Sequence, residues 1–149
     1  MTIKLLVLDV DGTIAGKSNQ IREPVKAAIR RVAANGVPVA IATGRMYRSA
    51  LRFHREIESL LPLICYQGAL IKDPNGDRIH RHTPLCPSLT RELLDFFESP
   101  QWIDRLSVHF YIDDRLYVRE LTPDTRAYVE RCELPLIIAR RLMSGFQLQ

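Results

Sequence analysis

Residues 3–13 constrain this chain more than any other stretch: Ile-Lys-Leu-Leu-Val-Leu-Asp-Val-Asp-Gly-Thr. Ile3, Leu5, Leu6, Val7 and Leu8 form an apolar run too short to span a membrane. Such a run suits a strand buried on both faces of a parallel sheet. Asp9 and Asp11 follow with one residue between them. Residues two apart on a strand point the same way, so both carboxylates should leave the strand's carboxyl end together. Open α/β sheets bind ligands at that end. Two close carboxylates repel, and a divalent cation is the usual remedy. A plain polar turn rarely follows so apolar a strand at this spacing. An EF-hand does not fit, because it lies between helices and needs a Glu at its twelfth position, where counting from Asp9 reaches Gln20.

A second strand is expected nearby. After a loop over residues 14–22, Glu23 and Pro24 suit a first helical turn. Val25, Ile29, Val32 and Ala33 give that helix an apolar stripe, and Asn35-Gly36 has the chemistry of a C-terminal cap. Residues 37–42 then read as a strand ending in Thr43-Gly44-Arg45. Strand, helix and strand make a βαβ unit with parallel strands, which sets Thr43 beside Asp9. A hydroxyl with exposed N–H groups at a helix start suits an anionic oxygen, and Thr43 equally suits an N-cap. The next helix, over about residues 46–60, ends at Pro62. Arg45, Arg48, Arg52 and Arg55 recur on one of its faces. With no interleaved aromatic platform, a solvated face is favoured over a nucleic-acid surface.

Asp9-Val10-Asp11-Gly12-Thr13 after an apolar strand resembles the first motif of the haloacid dehalogenase-like hydrolases, most of which are phosphatases. Ile41-Ala42-Thr43-Gly44-Arg45 resembles their second motif, and Gln67-Gly68-Ala69 resembles the Asn-Gly-Ala of the Cof-like branch, with Gln in place of Asn. The resemblance implies that Asp9 is a nucleophile and Asp11 the general acid/base. It implies Mg2+ held by Asp9 and Asp11, the latter through its backbone carbonyl. It also implies phosphoryl contacts at the Val10 backbone, Thr43 and Gly44, with Arg45 beside them, and a small phosphate ester such as a sugar phosphate as substrate. The implied fold is α/β: a Rossmann-like parallel-sheet core over residues 1–83, then a partial α/β cap over residues 84–149.

The remaining pattern fits that division. Residues 63–66 read as a strand, and Asp73-Pro74-Asn75-Gly76-Asp77 as a hairpin turn between residues 69–72 and 78–82. His80 and His82 share a face there, more in keeping with surface residues than with a metal pair lacking a third ligand. Pro84, Pro87 and Ser88 mark a hinge-like segment before a helix with Leu89, Leu93, Phe96 and Phe97 on its apolar face, ended by Pro100. A second hairpin is expected about Asp113-Asp114, between residues 106–112 and 115–121, with the Asp pair as turn chemistry. Thr122-Pro123 opens a last helix to about Cys132. This helix–hairpin–helix order resembles the start of a Cof-like cap. Residues 134–139 are apolar, and 140–149 show no closing element.

At 149 residues and 46% hydrophobic content the chain can bury an ordinary core. No leader or transmembrane stretch is evident, and three scattered cysteines favour a reducing cytoplasm. Two features that the resemblance implies are not found. One is a Lys that neutralises the phosphorylated Asp: the lysines are Lys4, Lys17, Lys26 and Lys72, and only Lys72 follows Thr43. The other is a late Gly-Asp-x-x-x-Asp-like motif: the sole Gly-Asp is Gly76-Asp77, inside a turn. The expected chain is thus about half of a typical relative, whether a truncated gene product, an excised piece or one half of a split enzyme. The resemblance implies that the strand bearing the late motif lies beside strand 1. Without it, strand 1 becomes an exposed apolar edge that invites a second copy or a complementing chain. The alternative to an enzyme is a non-catalytic remnant or subunit that binds phosphate and Mg2+ weakly.

Overall fold

The computed structural model describes residues 2–139 and Leu142. It forms two compact units, Met1–Thr83 and Pro84–Gln149.

In the first unit β1 (Leu6–Leu8) leads through α1 (Glu23–Ala34) to β2 (Val39–Ile41), which pairs with it in parallel. α2 (Tyr47–Glu56) returns the chain to β3 (Leu63–Cys65), joined to β2 by a parallel bridge between Ala42 and Ile64. β4 (Leu70–Lys72) and β5 (Ile79–His82) extend β3 in antiparallel fashion. The core gathers Ile29 of α1, Ile41 of β2, Ala50 and Phe53 of α2 with Ile57 just after it, and Leu63 of β3. Leu6 and Leu8 pack against it from β1.

Two helix ends show how local chemistry sets the frame. Gly36 takes φ +80° after α1, with its N–H donating to the Ala33 carbonyl and Val37 N–H to that of Val32. That double bond is the Schellman closure, and Asn35-Gly36 is suited to it. α2 ends the same way but earlier than its pattern suggests. Glu58, at φ 53°, donates to the Arg55 carbonyl and Ser59 N–H to that of His54. The helix therefore stops at Glu56 through a left-handed Glu, and Pro62 lies beyond it.

β1 is covered on one face only. A strand buried on both faces was one expectation and an exposed apolar edge the other, and Ile3, Leu5 and Val7 are 71%, 48% and 47% exposed, all on the face opposite Leu6 and Leu8. β2 is buried throughout. The difference is position: β2 has sheet partners on both sides, whereas β1 pairs only with β2 among the described residues.

The second unit runs α3 (Pro87–Phe97), β6 (Phe110–Ile112), β7 (Arg115–Val118), α4 (Pro123–Cys132) and β8 (Leu136–Ile138). The strand order is β6-β7-β8, antiparallel then parallel. Asp113 and Asp114 take φ 47° and 57°, the two left-handed residues of a type I′ hairpin turn. Thr122 caps α4, its Oγ1 accepting from Thr125 N–H at 3.1 Å. Leu94, Leu116, Val118 and Cys132 are buried. In α3 the buried residue is Leu94, while Leu89 and Phe96 of the expected apolar face are largely exposed. Apart from Leu142, residues 140–149 lie outside the described residues.

Candidate active site

Asp9 and Thr43 follow neighbouring parallel strands. Ala42 N–H donates to the Leu8 carbonyl at 3.0 Å, which holds the ends of β1 and β2 side by side, and Thr43 N–H donates to the Ile64 carbonyl of β3, also at 3.0 Å. After Asp9 the chain turns sharply. The Val10 side chain is fully buried, and its carbonyl accepts from the N–H groups of Thr13, Ile14 and Ala15. Gly12 sits at φ +76° in this turn, a conformation open to Gly and costly for most other residues. The loop beyond it tucks Ile14, Ala15 and Ile21 into the core.

The two carboxylates stand in contrasting surroundings. Asp9 is exposed, and its side chain engages no partner among the described residues. Asp11 is gripped at both oxygens: Arg45 Nε donates to Oδ2 and Nη2 to Oδ1, each at 2.7 Å. A guanidinium fork on a carboxylate fixes its plane as well as its position.

Arg45 overturns the solvated arginine face. It precedes α2, turns inward and is 4% exposed. Its Nη2 also donates to Asn19 Oδ1 at 2.7 Å, and Nη1 to Ser49 Oγ at 3.3 Å. The guanidinium lies 4.7 Å from the Phe53 ring centre, and that of Arg52 lies 4.4 Å from the same ring. Arg52 Nη2 donates to the Asn19 carbonyl at 2.9 Å. Arg48 and Arg55 remain exposed. Helical spacing alone did not separate inward from outward arginines, and nothing in the pattern singled out Asn19, a loop residue at φ 56°.

Thr43 is buried, and its Oγ1 accepts from Arg45 N–H at 3.2 Å. It is not a helix cap: Met46 holds the N-cap position of α2 and makes no side-chain cap bond. The Thr43 hydroxyl keeps its own proton to donate. Gly44 beside it is exposed. The Tyr66–Gly68 turn is stitched to this segment, with Tyr66 N–H donating to the Arg45 carbonyl at 2.9 Å and Gln67 N–H to that of Thr43 at 3.4 Å. Lys72 stays in its hairpin, with Nζ 2.7 Å from Asp77 and 4.8 Å from the Tyr47 ring centre.

Magnesium is a hard cation that takes oxygen ligands, commonly one or two carboxylates with several waters. The unengaged Asp9 carboxylate suits it. The Asp11 carboxylate does not in this arrangement, since both its oxygens accept from Arg45, which leaves its backbone carbonyl as the donor to consider. Among the described residues no three His, Cys, Asp or Glu side chains converge as a metal group, and this covers His80, His82 and the Asp113-Asp114 turn.

Residues 6–133 match the family model of the haloacid dehalogenase-like hydrolases, and the chain belongs to that family. The 5-amino-6-(5-phospho-D-ribitylamino)uracil phosphatase YitU of Bacillus subtilis (strain 168) is 34% identical over 96 residues, covering 64% of this chain and 36% of its own. A solved haloacid dehalogenase-like hydrolase from Bacteroides thetaiotaomicron superposes with a TM-score of 0.80 at 18% identity, over 99% of this chain and 56% of that one. The subclass IIB sugar phosphatase BT4131 gives a TM-score of 0.72 at 17% identity, over 91% and 52%. The chain thus spans about a third of the curated relative and about half of the solved ones.

Proposed function

We propose that this site performs phosphoryl transfer, as a Mg2+-dependent phosphatase acting on small phosphate esters. The observation that carries the proposal is the pairing, just beyond β1, of an unengaged carboxylate, Asp9, with one held in a guanidinium fork, Asp11, the fork coming from Arg45 beyond the adjacent parallel strand β2. An Asp9 oxygen attacks phosphorus, so that an Asp9 O–P bond forms while the ester P–O bond breaks. Asp11 gives its proton to the leaving alkoxide, then takes one from the water that cleaves the aspartyl-phosphate. Both Asp11 oxygens accept from Arg45 in the structure, so the acid step requires one of them to leave the fork. Arg45 is a positioning residue. The Thr43 hydroxyl and the N–H groups of Val10 and Gly44 are the proposed phosphoryl donors. Mg2+, held by Asp9 and the Asp11 backbone carbonyl, would neutralise charge on the crowded oxygens.

The names of the relatives, a phosphoribitylamino-uracil phosphatase and a sugar phosphatase, support a polyol or sugar phosphate as substrate. Residues 1–83 are assigned as core and 84–149 as part of a cap, in keeping with the two compact units. No described helix is long and apolar enough to cross a membrane, and the free cysteines Cys65, Cys86 and Cys132 support a reducing, cytoplasmic setting.

Turnover of an aryl phosphate with Mg2+, compared between this chain and Asp9→Asn prepared identically, tests the proposal. Turnover in the parent and a loss of more than about a thousandfold in the variant is expected. Equal rates in both would overturn it for this polypeptide.

A second reading rests on β1. The exposed Ile3, Leu5 and Val7, and an outer edge of β1 that pairs with no strand among the described residues, favour a subunit that completes its sheet with a complementing chain or a second copy. In that case the isolated chain binds phosphate without turning it over.

A further inference from the structure

We infer that Gln67 is a ligand-contacting residue of the phosphoryl cradle, its carboxamide donating to an oxygen of the bound phosphate above Gly44. The inference rests on the phosphatase reading of Thr43 and Gly44 and adds a residue to it.

Three observations converge. First, a methyl group placed on Gly44 would collide with the Gln67 carboxamide, Nε2 foremost, then its carbonyl carbon. The amide nitrogen therefore lies directly over the glycine, on the exposed side of the Thr43-Gly44 turn. Second, the carboxamide has no hydrogen-bond partner among the described residues, so both its N–H groups are open to a ligand. Third, the backbone holds it there in an unfavourable conformation. Tyr66, Gln67 and Gly68 take φ 51°, 56° and 87° in succession. Gly adopts such angles freely, whereas Tyr and Gln incur a steric penalty that Asn bears more easily. Strain of this kind persists where the surroundings over-determine it, and here the Thr43 and Arg45 carbonyls tie the turn down.

The chain length of the amide matters. Asn in place of Gln67 would keep the donor and ease the left-handed backbone, but would draw the carboxamide back by one methylene. Stability and anion binding should then move in opposite directions, which a purely structural role for Gln67 does not predict.

The test is titration of the full chain with inorganic phosphate in the presence of Mg2+, followed by calorimetry, beside thermal melts of each variant. Gln67→Ala should weaken phosphate about tenfold, the scale of one hydrogen bond to a charged group. Gln67→Glu, nearly isosteric, should weaken it further by placing a negative charge against the anion. Gln67→Asn should melt at or above the parent temperature yet bind phosphate several-fold more weakly. Thr43→Val serves as the control for the underlying reading. Parent binding that Thr43→Val abolishes and the Gln67 variants leave unchanged would overturn the role of Gln67 alone. A parent that does not bind phosphate, or binding indifferent to Thr43→Val, would overturn both.

Discussion

The two units of this chain are both small α/β bodies, yet they use their buried polar groups differently. In the first, His54 and Ser59 bond the Leu61 and Val39 carbonyls of the frame, but Thr43, Arg45 and Ser49 are buried together at one end of the sheet, and the bonds of Arg45 run toward Asp11 and Asn19. In the second, Thr125 is the buried polar side chain among the described residues, and its bonds to Ser107, His109 and Thr122 stay within the unit's own frame. A buried charge is costly unless paired and hydrogen-bonded, so a polar network aimed at an exposed carboxylate edge is hard to explain by stability alone. The second unit needs no such explanation. Its buried polar cluster caps a helix.

That contrast can be broken by mutation, beginning where the largest effect is expected. Arg45→Leu should lower phosphoryl transfer about a hundredfold, as Asp11 loses its orientation. Arg45→Lys should recover only part, because a point charge cannot reproduce a two-pronged fork. A turnover series with both variants checks this; equal activity in all three would remove Arg45 from the site. Leu5→Lys with Val7→Lys acts on the sheet edge instead. If β1 pairs with another copy, light scattering should show the parent as a dimer or larger and the double variant as a monomer. A parent already monomeric counts against self-pairing.

Smaller effects are expected in the second unit. Thr122→Ala removes the α4 cap and should cost about 1 kcal/mol in denaturant melts without changing phosphate affinity. A change in affinity would blur the distinction between the units. Burial also holds His109 below its ordinary value of 6.5, where it bonds Thr125 and lies against Tyr128. The unfolded chain therefore takes up the proton first as pH falls. Stability of this unit should be full above about pH 6.5 and decline below it, and His109→Gln should flatten that slope.

Much of this frame was legible in the residues. The apolar run before Asp9, the Asn35-Gly36 closure, the Asp113-Asp114 turn and the Thr122-Pro123 start each carry a local mechanism that the structure realises. What escaped depends on tertiary contact. Arg45, Arg48, Arg52 and Arg55 look equivalent by spacing, yet Asp11 and Phe53 draw Arg45 inward. Asn19 offers no pattern until Arg45 and Arg52 reach it. The exposure of β1, by contrast, was expected once the late motif was not found in the sequence. The end of α2 was misplaced because Glu58, not the later Pro62, adopts the left-handed turn.

The central claim is that Asp9 is the atom donor to phosphorus. The most direct measurement is intact-protein mass spectrometry after a brief incubation with Mg2+ and an activated small phosphate, quenched in acid. The account predicts one added phosphoryl group, mapped to the peptide carrying Asp9, sensitive to hydroxylamine and missing in Asp9→Asn. Turnover without any such adduct, or an adduct that survives Asp9→Asn unchanged, would contradict it.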